Sequence, residues 1–147
     1  MNIRFKKLTK SAKSPTMAYD GAAGMDLYAD HKIVIPANTT KAVHTGLSFE
    51  IPTSYFGKIW DRSGFSLQNA LKVPAGVIDS DYRGEIAVMF KNTGYRPYTI
   101  EPGDKIAQMV ILRRQLIQLE ELGEEEELTE TARGDKGFGS SDSEQPS

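Results

Sequence analysis

The residues most able to do chemistry lie together in Gly76-Val77-Ile78-Asp79-Ser80-Asp81-Tyr82-Arg83-Gly84-Glu85. An apolar triplet runs into two carboxylates spaced i, i+2. A tyrosine and an arginine follow, and a glycine closes the turn. Asp, Ser and Gly are ordinary turn chemistry, but a turn does not require Tyr and Arg beside them. The stretch reads as a β-hairpin that is either a decorated corner or a built site. A second group, Asp61-Arg62-Ser63-Gly64, ends a strand-like run. Its N–H groups and side chains could cradle an oxyanion at the start of a helical turn. Gly21-Ala22-Ala23-Gly24-Met25-Asp26-Leu27 sets a carboxylate directly after a small-residue loop. Gly103-Asp104-Lys105-Ile106-Ala107-Gln108 puts Gln108 in an otherwise apolar strand, where it needs a partner if buried. Each loop also has a plainer reading, as a turn residue, a surface ion pair or a solvent-facing amide.

The elements that must position these loops are strands. Ile3, Phe5 and Leu8 fit an opening strand, and Lys13-Ser14-Pro15-Thr16 reads as a loop. Lys32 to Ile35 is a short strand stopped by Pro36. Leu47, Phe49 and Ile51 alternate and stop before Pro52, and Tyr55 to Trp60 resumes the pattern. Val73, Val77 and Ile78 lead into the expected hairpin, and Ile86, Val88 and Phe90 alternate after it, as a half-buried strand should. Tyr98, Ile100 and then Ile106 to Leu112 supply two more strands around the Glu101-Pro102-Gly103-Asp104 turn. Only Ser66 to Leu71 looks helical. Short strands separated by turn signals predict an all-β sandwich or barrel with one short helix.

The chain has 147 residues, near the commonest size of one domain. A formal net charge of -2 gives no global footprint for nucleic acid or membrane, so any anion site must be a local cluster. Cysteine is absent, which excludes disulfides, thiolate catalysis and cysteine metal sites. That fits a reducing compartment. No apolar run approaches membrane-spanning length, and the first residues lack a signal-peptide core. An intracellular setting, cytoplasmic or nuclear, is expected.

After Leu119 the composition changes. Glu120, Glu121, Glu124, Glu125, Glu126, Glu127 and Glu130 form an acidic run with little apolar content. Such a run cannot bury enough surface to hold itself in place. Arg133-Gly134-Asp135-Lys136-Gly137-Phe138-Gly139-Ser140-Ser141 follows, a lone aromatic among glycines. Two regions are expected: 1–119 as the β domain, and 120–147 as an acidic tether and glycine-rich arm.

Taken in order, the five loops resemble the five motifs of the trimeric deoxyuridine triphosphate nucleotidohydrolases, the dUTPases. Ala23 to Leu27 resembles A-G-x-D-L, Arg62 to Gly64 R-S-G, and Gly76 to Gly84 G-V-I-D-x-D-Y-R-G. Gly103 to Gln108 resembles G-D-x-I-A-Q, and Arg133 to Ser140 R-G-x-x-G-F-G-S. The departures are Asp61 before Arg-Ser-Gly, Lys136 for a common glycine, and Ser141-Asp142 for a common Thr-Gly. Lys136 adds charge where a hinge is usual.

The resemblance implies a distorted jelly roll, homotrimeric, with active sites at subunit interfaces and a flexible C-terminal arm that closes as a lid. It implies hydrolysis of dUTP to dUMP and pyrophosphate by water attack on the α-phosphorus, which keeps uracil out of DNA and supplies dUMP for thymidylate synthesis. Asp79 matches the carboxylate that deprotonates the water, and Tyr82 the aromatic that packs on deoxyribose and leaves no room for a 2′-hydroxyl. Backbone groups around Gly76, Val77 and Ile78 would read uracil. Arg62, Ser63, Gly64 and Gln108 match the phosphate grip. Phe138 and Gly139 would lie on the base, with Arg133 and Ser140 on the γ-phosphate. Mg²⁺ would bridge the phosphates, with Asp26 holding the metal through its water. Asp81 is expected only to brace the turn. Two other readings compete: a dCTP deaminase of the same fold, which needs a different acid–base pair at the pyrimidine, and a non-catalytic nucleotide-binding regulatory trimer, which would need neither Asp79 nor the arm.

Overall fold

The protein is described by a computed structural model over residues 1–62, 70–74 and 76–137. Within these residues the chain is all-β, with twelve strands: β1 (Arg4–Lys7), β2 (Thr16–Met17), β3 (Met25–Tyr28), β4 (Ile33–Ile35), β5 (Thr40–His44), β6 (Leu47–Glu50), β7 (Tyr55–Trp60), β8 (Leu71–Lys72), β9 (Val77–Ile78), β10 (Ala87–Asn92), β11 (Tyr98–Ile100) and β12 (Lys105–Arg113). They form four sheets, ordered β1-β6, β5-β10-β8, β11-β4 and β2-β3-β12-β7-β9. Every pairing is antiparallel.

Period-two alternation builds the core. Leu47 and Phe49 of β6, Val88 and Phe90 of β10, and Ile106 and Met109 of β12 are all buried, with Leu27, Ile35 and Ile100 against them. Each such side chain contributes about 1.5–3 kcal/mol by leaving water. One buried amide is fully satisfied. Buried Asn92 donates Nδ2–H to the carbonyls of Ile35 (3.0 Å) and Arg96 (2.7 Å), and its Oδ1 accepts from the Gly94 amide at 2.9 Å.

Three expectations need correction. The stretch from Gly76 to Glu85 is not a hairpin: β9 pairs with β7, whereas β10 pairs with β5 and β8. The loop between them therefore crosses from one sheet to another. Its own hydrogen bonds stay largely inside the loop, so nothing draws the two arms into one ladder. The expected helix over Ser66–Leu71 lies mostly outside the described residues. Its last residue, Leu71, is fully buried in β8 opposite Asn92. Thr16, expected in a loop, begins β2, which pairs with β3, an interior strand that starts directly after the small-residue loop.

The chain divides into two compact units, Met1–Gln115 and Leu116–Ser147. The first holds all the sheets and every buried residue named above. In the second, residues 116–137 are exposed throughout and carry only local turns, such as Glu126 N–H to the Gly123 carbonyl at 3.0 Å.

Candidate active site

Two groups of side chains stand out in the first unit, one on the five-stranded sheet and one at its edge. The first is built on β3 and β12. Asp26 lies opposite Gln108, which lies opposite Trp60 on β7, so the three share one face. The register between β12 and β3 shifts between Lys105 and Ala107. This bulge is what makes the group: an uninterrupted strand would send Lys105 and Gln108 to opposite faces, because they are three positions apart. With the bulge, Ile106 and Ala107 are both buried, and Lys105 and Gln108 both flank Asp26. Lys105 Nζ is 2.8 Å from Asp26 Oδ2, and Arg62 Nε is 3.8 Å from Oδ1. The Asp26 carboxylate is 6% exposed. The lysine contact is an ion pair without hydrogen-bond alignment, because Oδ2 has no hydrogen-bond partner among the described residues. Gln108 Nε2 donates to the Gly24 carbonyl at 3.3 Å, which is the partner its position demanded. Gly24 must be glycine, since a Cβ there would sit 2.5 Å from the Met109 carbonyl oxygen.

The second group is the crossover loop after β9. Val77, Ile78, Asp79, Tyr82, Glu85 and Ala87 line a cavity of about 200 Å³. Asp79 is exposed, and none of the described residues hydrogen-bonds its carboxylate. The loop braces itself around it. The Tyr82 amide donates to the Asp79 carbonyl (3.2 Å), and Tyr82 Oη donates to the Glu85 carbonyl at 3.0 Å. Arg83 Nη1 donates to the carbonyls of Ser80 (2.7 Å) and Tyr82 (3.1 Å), so this arginine builds the turn. At the entry, the Ile59 amide donates to the Gly76 carbonyl at 2.6 Å, and a Cβ on Gly76 would meet Ile59 Cβ at 2.6 Å.

A single chain does not bring the two groups together. Ile78 pairs with Gly57, whereas Gln108 pairs with Trp60. Those levels are three residues apart along β7, about 10 Å at the usual rise per strand residue, and Asp79 follows Ile78 in the loop. In the second unit Arg133 is exposed and donates Nε–H to the Lys136 carbonyl at 2.9 Å. Ser63, Gly64, Phe138, Gly139 and Ser140 lie outside the described residues.

A larger cavity of about 460 Å³ lies beside β1 and β6. Its one carboxylate, Glu50, is ion-paired to Arg4. The hydrogen bond from Arg4 holds the Glu50 carboxyl below its ordinary range, so it offers no candidate base. Two residues of interest escaped the sequence reading, Lys105 and His44. Lys105 looked like an ordinary polar residue after a turn, and the bulge that aims it leaves no local signal. His44 bonds Glu85 across 41 residues of sequence.

The fold and its loops define a class, an all-β jelly roll with a carboxylate-bearing loop at the edge of its largest sheet. The dUTPase family profile matches residues 10–142. The deoxyuridine 5'-triphosphate nucleotidohydrolase of Paramecium bursaria Chlorella virus 1 is 43% identical over 95% of this chain and 96% of its own length. The enzyme of the same name from Oryza sativa subsp. japonica is 40% identical over 94% of this chain and 79% of its own length. Among solved structures, the dUTPase of Staphylococcus bacteriophage 80alpha with dUpNHpp superposes with a TM-score of 0.87 at 28% identity, covering 95% of this chain and 97% of that one. The chain belongs to the dUTPase family.

Proposed function

We infer that the protein is a dUTP nucleotidohydrolase, releasing dUMP and pyrophosphate. The observation that carries the reading is the exposed Asp79 carboxylate at the rim of a cavity shared with Tyr82. A carboxylate open to solvent beside a bound α-phosphate is placed to take a proton from an attacking water. The water oxygen bonds to the α-phosphorus, the bond to the bridging oxygen breaks, and pyrophosphate leaves with its electron pair. Tyr82, held by its hydroxyl at the Glu85 carbonyl, presents its ring to the cavity as a wall against a 2′-hydroxyl. Backbone groups of Gly76, Val77 and Ile78 at the edge of the sheet are suited to reading the uracil pattern, which cytosine reverses in part.

Arg62 offsets part of the triphosphate charge and Gln108 offers an amide hydrogen bond to it, with Ser63 and Gly64, next in the sequence, assigned to the same grip. The levels of Gln108 and Asp79 are too far apart for both to meet one α-phosphate within a single chain. This supports sites shared between copies in a homotrimer, with Arg133, Phe138, Gly139 and Ser140 supplied by an arm. Mg²⁺ fits the same frame. No group of three His, Cys, Asp or Glu among the described residues is placed to hold a metal ion. An ion carried by phosphate oxygens needs only an acceptor for its bound waters. The Asp26 carboxylate would be such an acceptor through Oδ1, where Arg62 stands off at 3.8 Å, since Oδ2 is buried against Lys105 at 2.8 Å. When bound, the ion neutralises charge on the phosphates.

Pyrophosphate release from dUTP, dCTP, dTTP and UTP, each with Mg²⁺, tests the assignment. dUTP should be turned over far faster than the others, and equal turnover of UTP would refute the role given to Tyr82. Asp79→Asn should lower kcat by about 10²–10⁴-fold with dUTP binding retained. Near-normal turnover in that variant would remove Asp79 as the base.

A further inference from the structure

The loop that carries Asp79 and Tyr82 is braced inside itself, but something must fix it to the body of the protein. Its N-terminal end is tied by β9. Its C-terminal end is tied by a clasp centred on Glu85. The Glu85 carboxylate accepts from the Gly46 amide through Oε1 at 2.9 Å and bonds His44 Nδ1 through Oε2 at 2.9 Å. Next to it, the Ile86 carbonyl accepts from Thr45 twice, from Oγ1 at 2.7 Å and from the amide at 3.2 Å, while the Ile86 amide donates to the Leu47 carbonyl at 2.8 Å. The turn between β5 and β6 thus grips Glu85 and Ile86 at five points. His44 is itself held from behind: its ring stacks on His31 with centroids 5.6 Å apart, and His31 Nδ1 lies 3.9 Å from buried Asp30.

The clasp reaches the cavity through one bond. The Tyr82 hydroxyl donates to the backbone carbonyl of the clasped residue, Glu85, and both residues line the cavity. Moving Glu85 therefore swings the Tyr82 ring. We propose that Glu85 and His44 are positioning residues that set the Tyr82 wall, and with it the selectivity for deoxyribose over ribose. This rests on the functional reading above. Neither residue touches the reacting atoms. The Glu85 carboxylate, with two donors converging on it, is more firmly held than a neutral acceptor would be.

The test uses Glu85→Ala, Glu85→Gln, His44→Ala and His44→Asn in the full chain. Glutamine keeps an oxygen for the Gly46 amide and a nitrogen for His44 in its other tautomer, and the asparagine amide stands in for Nδ1–H. kcat and KM are measured for dUTP and UTP, together with Tm. Both alanine variants should lose roughly tenfold in the dUTP-over-UTP ratio of kcat/KM, the amount expected from one charge-assisted hydrogen bond. The conservative variants, which keep hydrogen-bonding groups in place, should lose clearly less than the alanine variants. Hydrogen exchange at the Gly46 and Tyr82 amides, which does not depend on activity, should quicken roughly tenfold in Glu85→Ala and not in Glu85→Gln. Alanine variants that lose Tm but keep the ratio and the protection overturn the proposal, as do conservative variants that fail equally. Should Glu85→Ala fail to fold, half-exposed His44 still decides it. A wild-type protein inactive on dUTP would overturn the functional reading instead, and the exchange data would still judge the clasp.

Discussion

Asp26 and Asp79 are carboxylates of the same chain with opposite settings, and the settings suit them to different work. Asp79 stands in solvent with no partner among the described residues, free to meet a water. Asp26 is buried with Lys105 at 2.8 Å and Arg62 at 3.8 Å, so its charge is already opposed by two cations. A buried carboxylate that loses its nearest cation keeps the cost of desolvation without the compensation. Lys105→Met should therefore destabilise the fold by about 1–3 kcal/mol, below the cost for a fully buried pair because the lysine is partly exposed. Lys105→Arg should recover most of it. Chemical denaturation measures both, and an unchanged midpoint in Lys105→Met would mean that Asp26 is held by other groups. The candidate residues were legible in the sequence, because Asp79, Tyr82 and Arg62 sit in loops whose composition is odd for turns and Gln108 is a polar residue in an otherwise apolar strand. Their partners were not. Asp26 meets Lys105 only because a bulge turns the lysine, and Glu85 meets His44 across distant strands.

At the scale of elements, the strands that could be read are those whose alternation is written in apolar residues. Tyr55–Trp60 has the predicted bounds, and β10 and β12 are centred where alternation put them. β5 escaped because Thr40-Lys41-Ala42-Val43-His44 has one fully buried side chain, Val43, and is a strand because β10 pairs with it. The choice of ladder partner is likewise non-local, so a crossover read as a hairpin. That crossover depends on β9, only two residues long, lying close against β7. Gly76 sets the approach. Gly76→Ala would drive a methyl into Ile59, with Cβ 2.6 Å from Ile59 Cβ and 2.9 Å from its carbonyl oxygen, and backbone cannot swing aside as a side-chain tip can. The variant should cost about 1–3 kcal/mol. It should also cut kcat/KM for dUTP, because the displaced strand leads directly into Asp79. A drop in Tm with unchanged kcat/KM would show that the loop holds its shape without β9.

For the whole molecule, the division of the chain sets the unit that holds the sheets apart from a second, acidic segment. Among the described residues, every member of the hydrophobic core lies between Ala12 and Met109, and the partly buried residues packed on it end at Ile111. Residues 116–137 are exposed and acidic, and they add nothing to that core. Burial supplies most of the free energy of folding, so removing exposed residues beyond it should leave stability almost unchanged. Ending the chain before Arg133 is then a clean separation of roles. The truncated protein should keep the wild-type Tm within about 2 °C, since a shift that small is well under 1 kcal/mol for a domain of this size. It should also keep the same elution volume. Hydrolysis of dUTP should fall by at least about tenfold, because the proposed grip of Arg133 and Ser140 on the γ-phosphate and the cover of Phe138 on the base go together. The loss should appear for dUTP and UTP alike, unlike the selective change expected when the Glu85 clasp is cut. A truncated protein of full activity would remove the arm from the mechanism and leave the sheet loops to hold the triphosphate alone. A large fall in Tm would show instead that the tail is part of the folded body.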